Sequence, residues 1–153
     1  MSDRSMQTPR KGEQKMRERE SPLTLLTCSG LSNTGRLTTQ VAIQLQRRYP
    51  DLFEEHITAK QLILDQEQIL RGIENVVVVD GCSDGCAAKK LQDAGYEPYL
   101  HVIATDHGVV KKGMEEVQYL EIACVTSAVI ELLRGYGRTR GCDPLENISD
   151  DTP

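Results

Sequence analysis

Apolar positions along the chain fall into four short runs that alternate with longer segments of helical spacing. The apolar runs predict strands over residues 23–28, 53–59, 76–79 and 99–104. The third run is four consecutive valines, which suits a parallel strand covered on both faces. In the intervening segments, apolar residues recur three or four positions apart, and this spacing predicts helices. The first helix begins in the turn of residues 32–35 and ends at Tyr49–Pro50, and the others cover residues 60–73, 83–94 and 115–134.

Strands that alternate with helices of this length predict an α/β fold. We expect a small, mainly parallel sheet of about four strands flanked by helices, in a Rossmann-like or flavodoxin-like three-layer arrangement. The chain has 153 residues, too few for two ordinary domains. The pattern therefore predicts a single α/β domain over residues 21–142.

Both ends of the chain lack apolar periodicity. Residues 1–20 carry six basic and four acidic side chains, and residues 143–153 carry four acidic side chains and no basic one. Such segments cannot bury enough apolar surface to fold. We therefore expect a charged, disordered N-terminal tail and an acidic, disordered C-terminal tail.

Charge and composition narrow the class of partner. The net charge of −5, the absence of Trp and an aromatic content of 4% argue against nucleic-acid binding. No apolar run approaches the length of a membrane-spanning helix, and the N-terminal residues do not resemble a secretion signal. We therefore expect a cytoplasmic protein that does not contact membranes. Its five cysteines then favour metal or redox chemistry over a disulfide framework.

Several reactive side chains lie where the predicted strands end. They are Cys28, His56, Cys82, Cys86, Asp106 and His107. The carboxyl ends of parallel strands share one edge of a sheet, where α/β proteins bind their ligands. Cys82 and Cys86 are four residues apart, which predicts that they lie on the same side of a helix N-terminus. Three cysteines and one histidine would complete a tetrahedral zinc site.

Two segments carry a family resemblance. Residues 28–35, Cys-Ser-Gly-Leu-Ser-Asn-Thr-Gly, and residues 80–90, which begin Asp-Gly-Cys, resemble the DGC-domain family. That family is described as zinc-binding through four cysteines, and its biochemical activity is unassigned. The resemblance covers roughly residues 23–112.

The resemblance implies a set of zinc ligands in this chain. Cys28, Cys82 and Cys86 correspond to three of the family's cysteines, but no cysteine lies between the two motifs, where the fourth is expected. His56, 26 residues before Cys82, is the nearest competent ligand there, and Cys124 in the last helix is its rival. Two arrangements stay open: a site of three cysteines and one histidine, or three thiolates with an open position.

The same residues support other interpretations. The turn from Ser29 to Arg36 could bind a phosphate at a helix N-terminus, with Cys28 as the nucleophile of a thiol-dependent or phosphate-handling enzyme. The protein could instead be an adaptor whose tails recognise a partner. Asp80 could orient a metal ligand or cap the turn that follows its strand, and capping is the expected role. His101 is expected to occupy a core or surface-facing strand position.

Overall fold

The computed structural model describes residues 23–73 and 75–135, so both predicted tails lie outside the described residues. The strands are β1 (Leu23–Thr27), β2 (Phe53–Thr58), β3 (Val76–Asp80) and β4 (Leu100–Ile103). The helices are α1 (Asn33–Arg48), α2 (Ala59–Leu64), α3 (Gln66–Arg71), α4 (Cys86–Asp93) and α5 (Tyr119–Leu133), and a 3₁₀ helix covers Ala104–His107.

The strands form one parallel sheet in the order β2-β1-β3-β4. Each strand is followed by a helix, which is the connection that parallel pairing requires. The predicted fold class, a small parallel sheet flanked by helices in three layers, is confirmed. The valine strand β3 lies inside the sheet, and all five of its residues are buried.

The two faces of the sheet carry separate hydrophobic cores. On one face, which we call the α5 face, Leu25, Val77, Val79 and Val102 pack with residues of α1 and α5. On the other, which we call the α4 face, Leu26, Ile57, Val76 and Val78 pack with residues of α2, α3 and α4. Neighbouring residues of a strand point to opposite faces. When a strand residue belongs to the core of one face, the side chain of the next residue therefore points to the other face.

The single helix predicted over residues 60–73 is wrong. Two short helices, α2 and α3, meet at Asp65, whose backbone is not helical (φ −141°, ψ 48°). Asp favours such positions because its side chain competes for backbone hydrogen bonds in a helix. At the start of α2, Thr58 and Gln61 form a capping box.

The last two helices begin later than predicted. Helix α4 begins at Cys86 instead of residue 83, because Gly85 before it is left-handed (φ 59°) and residues 82–85 form a turn. Cys82 therefore lies outside the helix, and the prediction that it shares a helical face with Cys86 is wrong.

Helix α5 begins at Tyr119 instead of residue 115. The carbonyls of Met114 and Glu115 instead accept hydrogen bonds from Arg36.

Candidate functional site

The two cysteine-containing loops leave adjacent strands at the carboxyl edge of the sheet. The first loop, residues 28–32, follows β1, and the second loop, residues 81–85, follows β3. From β1 the chain crosses to β2 on one side, and from β3 it crosses to β4 on the other. Ligands of open α/β sheets bind at such a reversal of strand order. The fold therefore brings both sequence motifs to the position where an α/β protein is expected to have its site.

Two glycines allow these loops to approach each other closely. A Cβ atom on Gly81 would lie 2.7 Å from the carbonyl carbon and oxygen of Thr34, in the first turn of α1. A Cβ atom on Gly35 would lie 2.6 Å from the backbone of Gly30. No side chain larger than hydrogen fits at either contact, so the glycines of both motifs are needed for packing.

Cys28 links the two loops. Its Sγ accepts a hydrogen bond from the Gly81 amide at 3.3 Å and lies 3.8 Å from the Thr38 hydroxyl of α1. The thiol also packs against the core cluster of the α4 face. The next residue, Ser29, has φ 48°, the only positive φ of a non-glycine residue in the described ranges. The turn is held there because the Ser29 amide donates to Thr38 Oγ1 at 3.2 Å.

Asp80 ends β3 and is fully buried on the α4 face. Its carboxylate accepts the amides of Ala87 at 2.9 Å and Ala88 at 3.2 Å, in the first turn of α4. The expected capping role is confirmed, although the capped helix begins six residues beyond Asp80 in the chain. The same carboxylate accepts a third hydrogen bond from His101 Nε2 at 2.8 Å.

Cys82 and Cys86 lie at the two ends of the second loop. Cys82 Sγ donates to Asp84 Oδ2 at 3.5 Å and accepts from Lys111 Nζ at 3.8 Å. Lys111 Nζ also lies 3.9 Å from Asp84 Oδ2, which makes a small charged group around this thiol. Cys86 is the first residue of α4 and is exposed. Both thiols are free, as is that of Cys28.

His56 lies on the opposite face of the sheet from Asp80 and from the core against which Cys28 packs. Its neighbour Ile57 belongs to the core of the α4 face, so the imidazole points to the α5 face. His56 Nε2 lies 2.9 Å from Thr27 Oγ1, at hydrogen-bond distance. Thr27 Oγ1 is in turn 2.6 Å from Ser29 Oγ, and Ser29 Oγ is 2.8 Å from Thr39 Oγ1. Burial of the ring lowers the pKa of His56, so the neutral form is favoured.

The four predicted ligands do not form a ready-made site. Among residues 23–73 and 75–135, no group of three or more His, Cys, Asp or Glu side chains is arranged to hold a metal ion. Cys124, the rival fourth ligand, is a buried residue of α5 and is disulfide-bonded. The zinc site and its ligand set therefore stay predictions.

The start of α1 is bound by a third loop, which follows the 3₁₀ helix. The Asn33 amide donates to the Gly113 carbonyl at 2.6 Å, and the Gly35 amide donates to Ser32 Oγ at 3.3 Å. The Asn33 side chain also binds the backbone of Val110 and Lys112. These amides and the asparagine side chain are thus engaged within the chain. The arrangement favours a capped turn over a phosphate site.

Asp106 and His107, the last two candidates from the sequence, lie in the 3₁₀ helix after β4. Burial lowers the pKa of His107, and the negative charges of Asp106 and Glu131 partly offset this shift. Glu131 belongs to α5. His107 is thus influenced by a charge from the α5 layer.

Sequence reasoning missed two features of this edge. It did not find the hydroxyl series of Thr27, Ser29 and Thr39, because Thr39 of α1 meets the other two only in the fold. It also gave His101 no partner, whereas the structure pairs it with Asp80. Strand alternation could have placed Asp80 and His101 on the same face, but the register between β3 and β4 is a tertiary property.

Comparison with known proteins identifies the family. The sequence model of the DGC domain matches residues 24–129, well over half of the chain. Searches of curated proteins and of solved structures found no significant match. No described helix is long and apolar enough to span a bilayer. The matched range covers the four strands except the first residue of β1, together with both cysteine motifs, and the chain belongs to the DGC-domain family.

Proposed function

We propose that the protein binds a zinc ion through the thiolates of Cys28, Cys82 and Cys86. The observation that supports this most is the 3.3 Å hydrogen bond from the Gly81 amide to Cys28 Sγ. It joins the first thiol to the loop that carries Cys82 and leads into Cys86. All three thiols are free, and zinc is bound by thiolates in many protein sites.

Each of the three sulfurs lies beside a group that can interact with a zinc-bound thiolate. Cys28 receives a backbone hydrogen bond, Cys82 lies next to the Lys111 ammonium, and Cys86 begins a helix. Hydrogen-bond donors, positive charges and helix N-termini all stabilise thiolates. The chemistry of this donor set therefore suits zinc, although Cys82 must turn away from Asp84 to bind it.

A bound zinc ion would cross-link the two loops. The protein would then hold, store or transfer metal. Thiolate ligands must stay reduced, so the proposal requires Cys28, Cys82 and Cys86 to remain free, as they are in the structure. His56 is a weaker candidate for the fourth ligand than the sequence implied, because its ring points to the α5 face and contacts Thr27.

Elemental analysis tests the proposal. Full-length protein purified without added metal should contain about one zinc ion per chain. Replacing Cys28, Cys82 or Cys86 singly with Ser should lower the zinc content, because each change removes a thiolate. Ser83→Ala is the matched control, since it alters an exposed residue of the same loop without removing a sulfur. Less than about 0.2 zinc per chain in the unaltered protein would reject the proposal.

A thiol-dependent activity at Cys28 is the second candidate function. The Gly81 amide donates to its sulfur, and a donor at this position would stabilise a thiolate nucleophile. Alkylation rates of Cys28, measured against pH after removal of metal, test this function. Rapid alkylation well below the ordinary thiol pKa supports it, and ordinary alkylation kinetics contradict it.

A further inference from the structure

We infer that Ser29 is a nucleophilic serine that attacks uncharged esters, and that its hydroxyl proton passes through Thr27 to His56. This inference goes beyond zinc binding and does not depend on it. It concerns one hydrogen-bonded series of side chains at the carboxyl end of β1, formed by His56, Thr27, Ser29 and Thr39. The argument depends on the backbone at Ser29, the proton arrangement along the series and the state of the imidazole.

The backbone at Ser29 is unusual. Its φ of 48° is the only positive φ of a non-glycine residue in the described ranges, and it lies between β1 and α1. Residues held in such sparsely populated conformations cluster at functional sites. The nucleophilic serines of α/β hydrolases occupy a strained turn from a strand to a helix, which exposes the hydroxyl. Ser29 has the same kind of position, and it is partly exposed.

The oxygen distances restrict how the protons of the series are arranged. Thr27 Oγ1 and Ser29 Oγ are 2.6 Å apart, and Ser29 Oγ and Thr39 Oγ1 are 2.8 Å apart, so a proton lies between the oxygens of each pair. Each hydroxyl has one proton to donate. The three hydroxyls therefore donate in one direction, either towards His56 or away from it. When His56 Nε2 accepts from Thr27, Ser29 donates to Thr27.

His56 provides the proton acceptor at the end of the series. Its Nε2 lies 2.9 Å from Thr27 Oγ1. Burial lowers the pKa of His56, so the ring is neutral at pH 7 and has one nitrogen with a free lone pair. Thr27, which connects the imidazole to Ser29, is fully buried, so solvent does not compete for its hydroxyl. A base linked to a hydroxyl in this way activates it as a nucleophile.

The surroundings of Ser29 favour an uncharged substrate over a phosphate ester. Arg36 donates to carbonyls of the third loop, and the amides of Asn33 and Gly35 are engaged within the chain. A phosphate group is recognised by cationic side chains or by free amides at a helix N-terminus. These groups are occupied at the start of α1, whereas a carboxylic ester carries no charge that requires them.

The chemical step follows from this arrangement. Ser29 Oγ forms a bond to the ester carbonyl carbon, while its proton moves to Thr27 and the Thr27 proton moves to His56 Nε2. The bond to the leaving alkoxide then breaks, the alkoxide takes a proton from solvent, and His56 returns its proton to solvent. Water hydrolyses the acyl-serine to a carboxylic acid, which restores the Ser29 hydroxyl. The net reaction converts ester and water to acid and alcohol.

A fluorophosphonate probe tests the nucleophile in the full chain. An activated serine forms a bond to phosphorus and displaces fluoride, so the label stays on the protein. We expect mass spectrometry to find the label on Ser29 of the unaltered protein, and Ser29→Ala to abolish it. Hydrolysis of p-nitrophenyl acetate by the unaltered protein should exceed that by Ser29→Ala by more than about 10-fold. Equal rates of hydrolysis would contradict the inference.

Variants of the series test the proton path. Thr27→Val keeps the shape of the side chain without its hydroxyl and should slow labelling by about 100-fold, whereas Thr27→Ser should recover most of the rate. His56→Gln can still accept from Thr27 but is not a base, so it should slow labelling to a similar degree. Thr24→Val, which changes another buried threonine of β1, is the control and should label normally. Equal labelling of Thr27→Val and Thr27→Ser would show that the path is wrong.

The unaltered protein decides the inference even if a variant fails to fold. Absence of label, or a label on a serine other than Ser29, would overturn it. Zinc analysis of the same preparation separates this outcome from the proposed function. Labelled protein without zinc contradicts only the metal proposal, and zinc-containing protein without label contradicts only the serine nucleophile.

Discussion

Asp80 is a single buried side chain that joins a strand, a helix and a histidine. Its carboxylate receives hydrogen bonds from Ala87, Ala88 and His101, and it is fully buried. A buried carboxylate is stable only when donors replace the water it loses, and here three donors do so. The residue therefore determines where α4 begins and how the His101 ring is held.

Replacing Asp80 with Ala should lower the free energy of unfolding by about 3 kcal/mol, because two buried amides and an imidazole lose their acceptor. Equilibrium urea unfolding measures the change. Asp84→Ala is the control: Asp84 is an exposed residue of the neighbouring loop, and its replacement should change stability by less than about 0.5 kcal/mol. Equal effects of the two variants would show that the buried network contributes nothing to stability.

At the scale of elements, the site depends on how the first turn of α1 packs against the loop after β3. Gly81 lies directly against the backbone of Thr34, and Gly35 lies against Gly30. Backbone cannot move aside as a flexible side chain can. These contacts hold the two cysteine loops together and keep Cys28 Sγ within reach of the Gly81 amide.

Gly81→Ala should therefore destabilise the protein by about 2 kcal/mol, since the new methyl group would overlap the Thr34 carbonyl. Gly72→Ala is the matched control, because nothing lies within 4 Å of the added Cβ and its φ of −104° suits any residue. That variant should be neutral or slightly stabilising. Thermal unfolding of both variants decides: a smaller loss for Gly81→Ala than for Gly72→Ala would contradict the close packing.

For the whole molecule, the order β2-β1-β3-β4 determines which chemical groups can meet. The sheet separates an α5 face from an α4 face, each with its own core. Cys28, Asp80 and His101 belong to the α4 face, and His56 belongs to the α5 face. A side chain at the carboxyl edge thus has a defined set of partners, set by the face to which it points.

Stability of the whole molecule should decrease in mild acid. Burial lowers the pKa of both His56 and His107 below the unfolded value, so the folded state binds fewer protons than the unfolded state as pH falls. The free energy of unfolding should be unaffected by these groups above about pH 7, and should fall as pH decreases below about 6.5 towards their folded pKa values. Urea unfolding as a function of pH measures this dependence.

His56→Gln isolates one of the two histidines, because glutamine can still bind Thr27 but does not titrate. As pH falls, the free energy of unfolding of the unaltered protein should decrease more than that of the variant. The same change in His107 provides the comparison. Stability curves of His56→Gln and unaltered protein that stay parallel from about pH 7 to pH 5 would contradict the desolvated state of His56.

Much of the fold follows from local pattern. The apolar runs of β1 and β3, the helical spacing of α1 and the alternation of strands with helices led to a parallel α/β sheet, which is confirmed. These features depend on residues close together in the chain. Two short motifs likewise predicted the family, and the family model matches residues 24–129.

The ends of the helices depended on longer-range contacts. The late start of α4 comes from the Asp80 carboxylate and the left-handed Gly85, and the late start of α5 accompanies the binding of Arg36 to carbonyls of the preceding loop. Spacing alone extended both helices too far. It also placed Cys82 and Cys86 on one helical face, because it could not detect the turn between them.

The sequence by itself determined the fold class, the family and the location of the cysteines at strand ends, because each depends on local patterns. Only the tertiary structure decided that His56 and Cys28 lie on different sides of the sheet and that His101 binds Asp80. The physical reason is register: a shift of one residue reverses the face of every side chain in a strand. The pairing of β3 with β4, set by packing across the whole domain, brought Asp80 and His101 together.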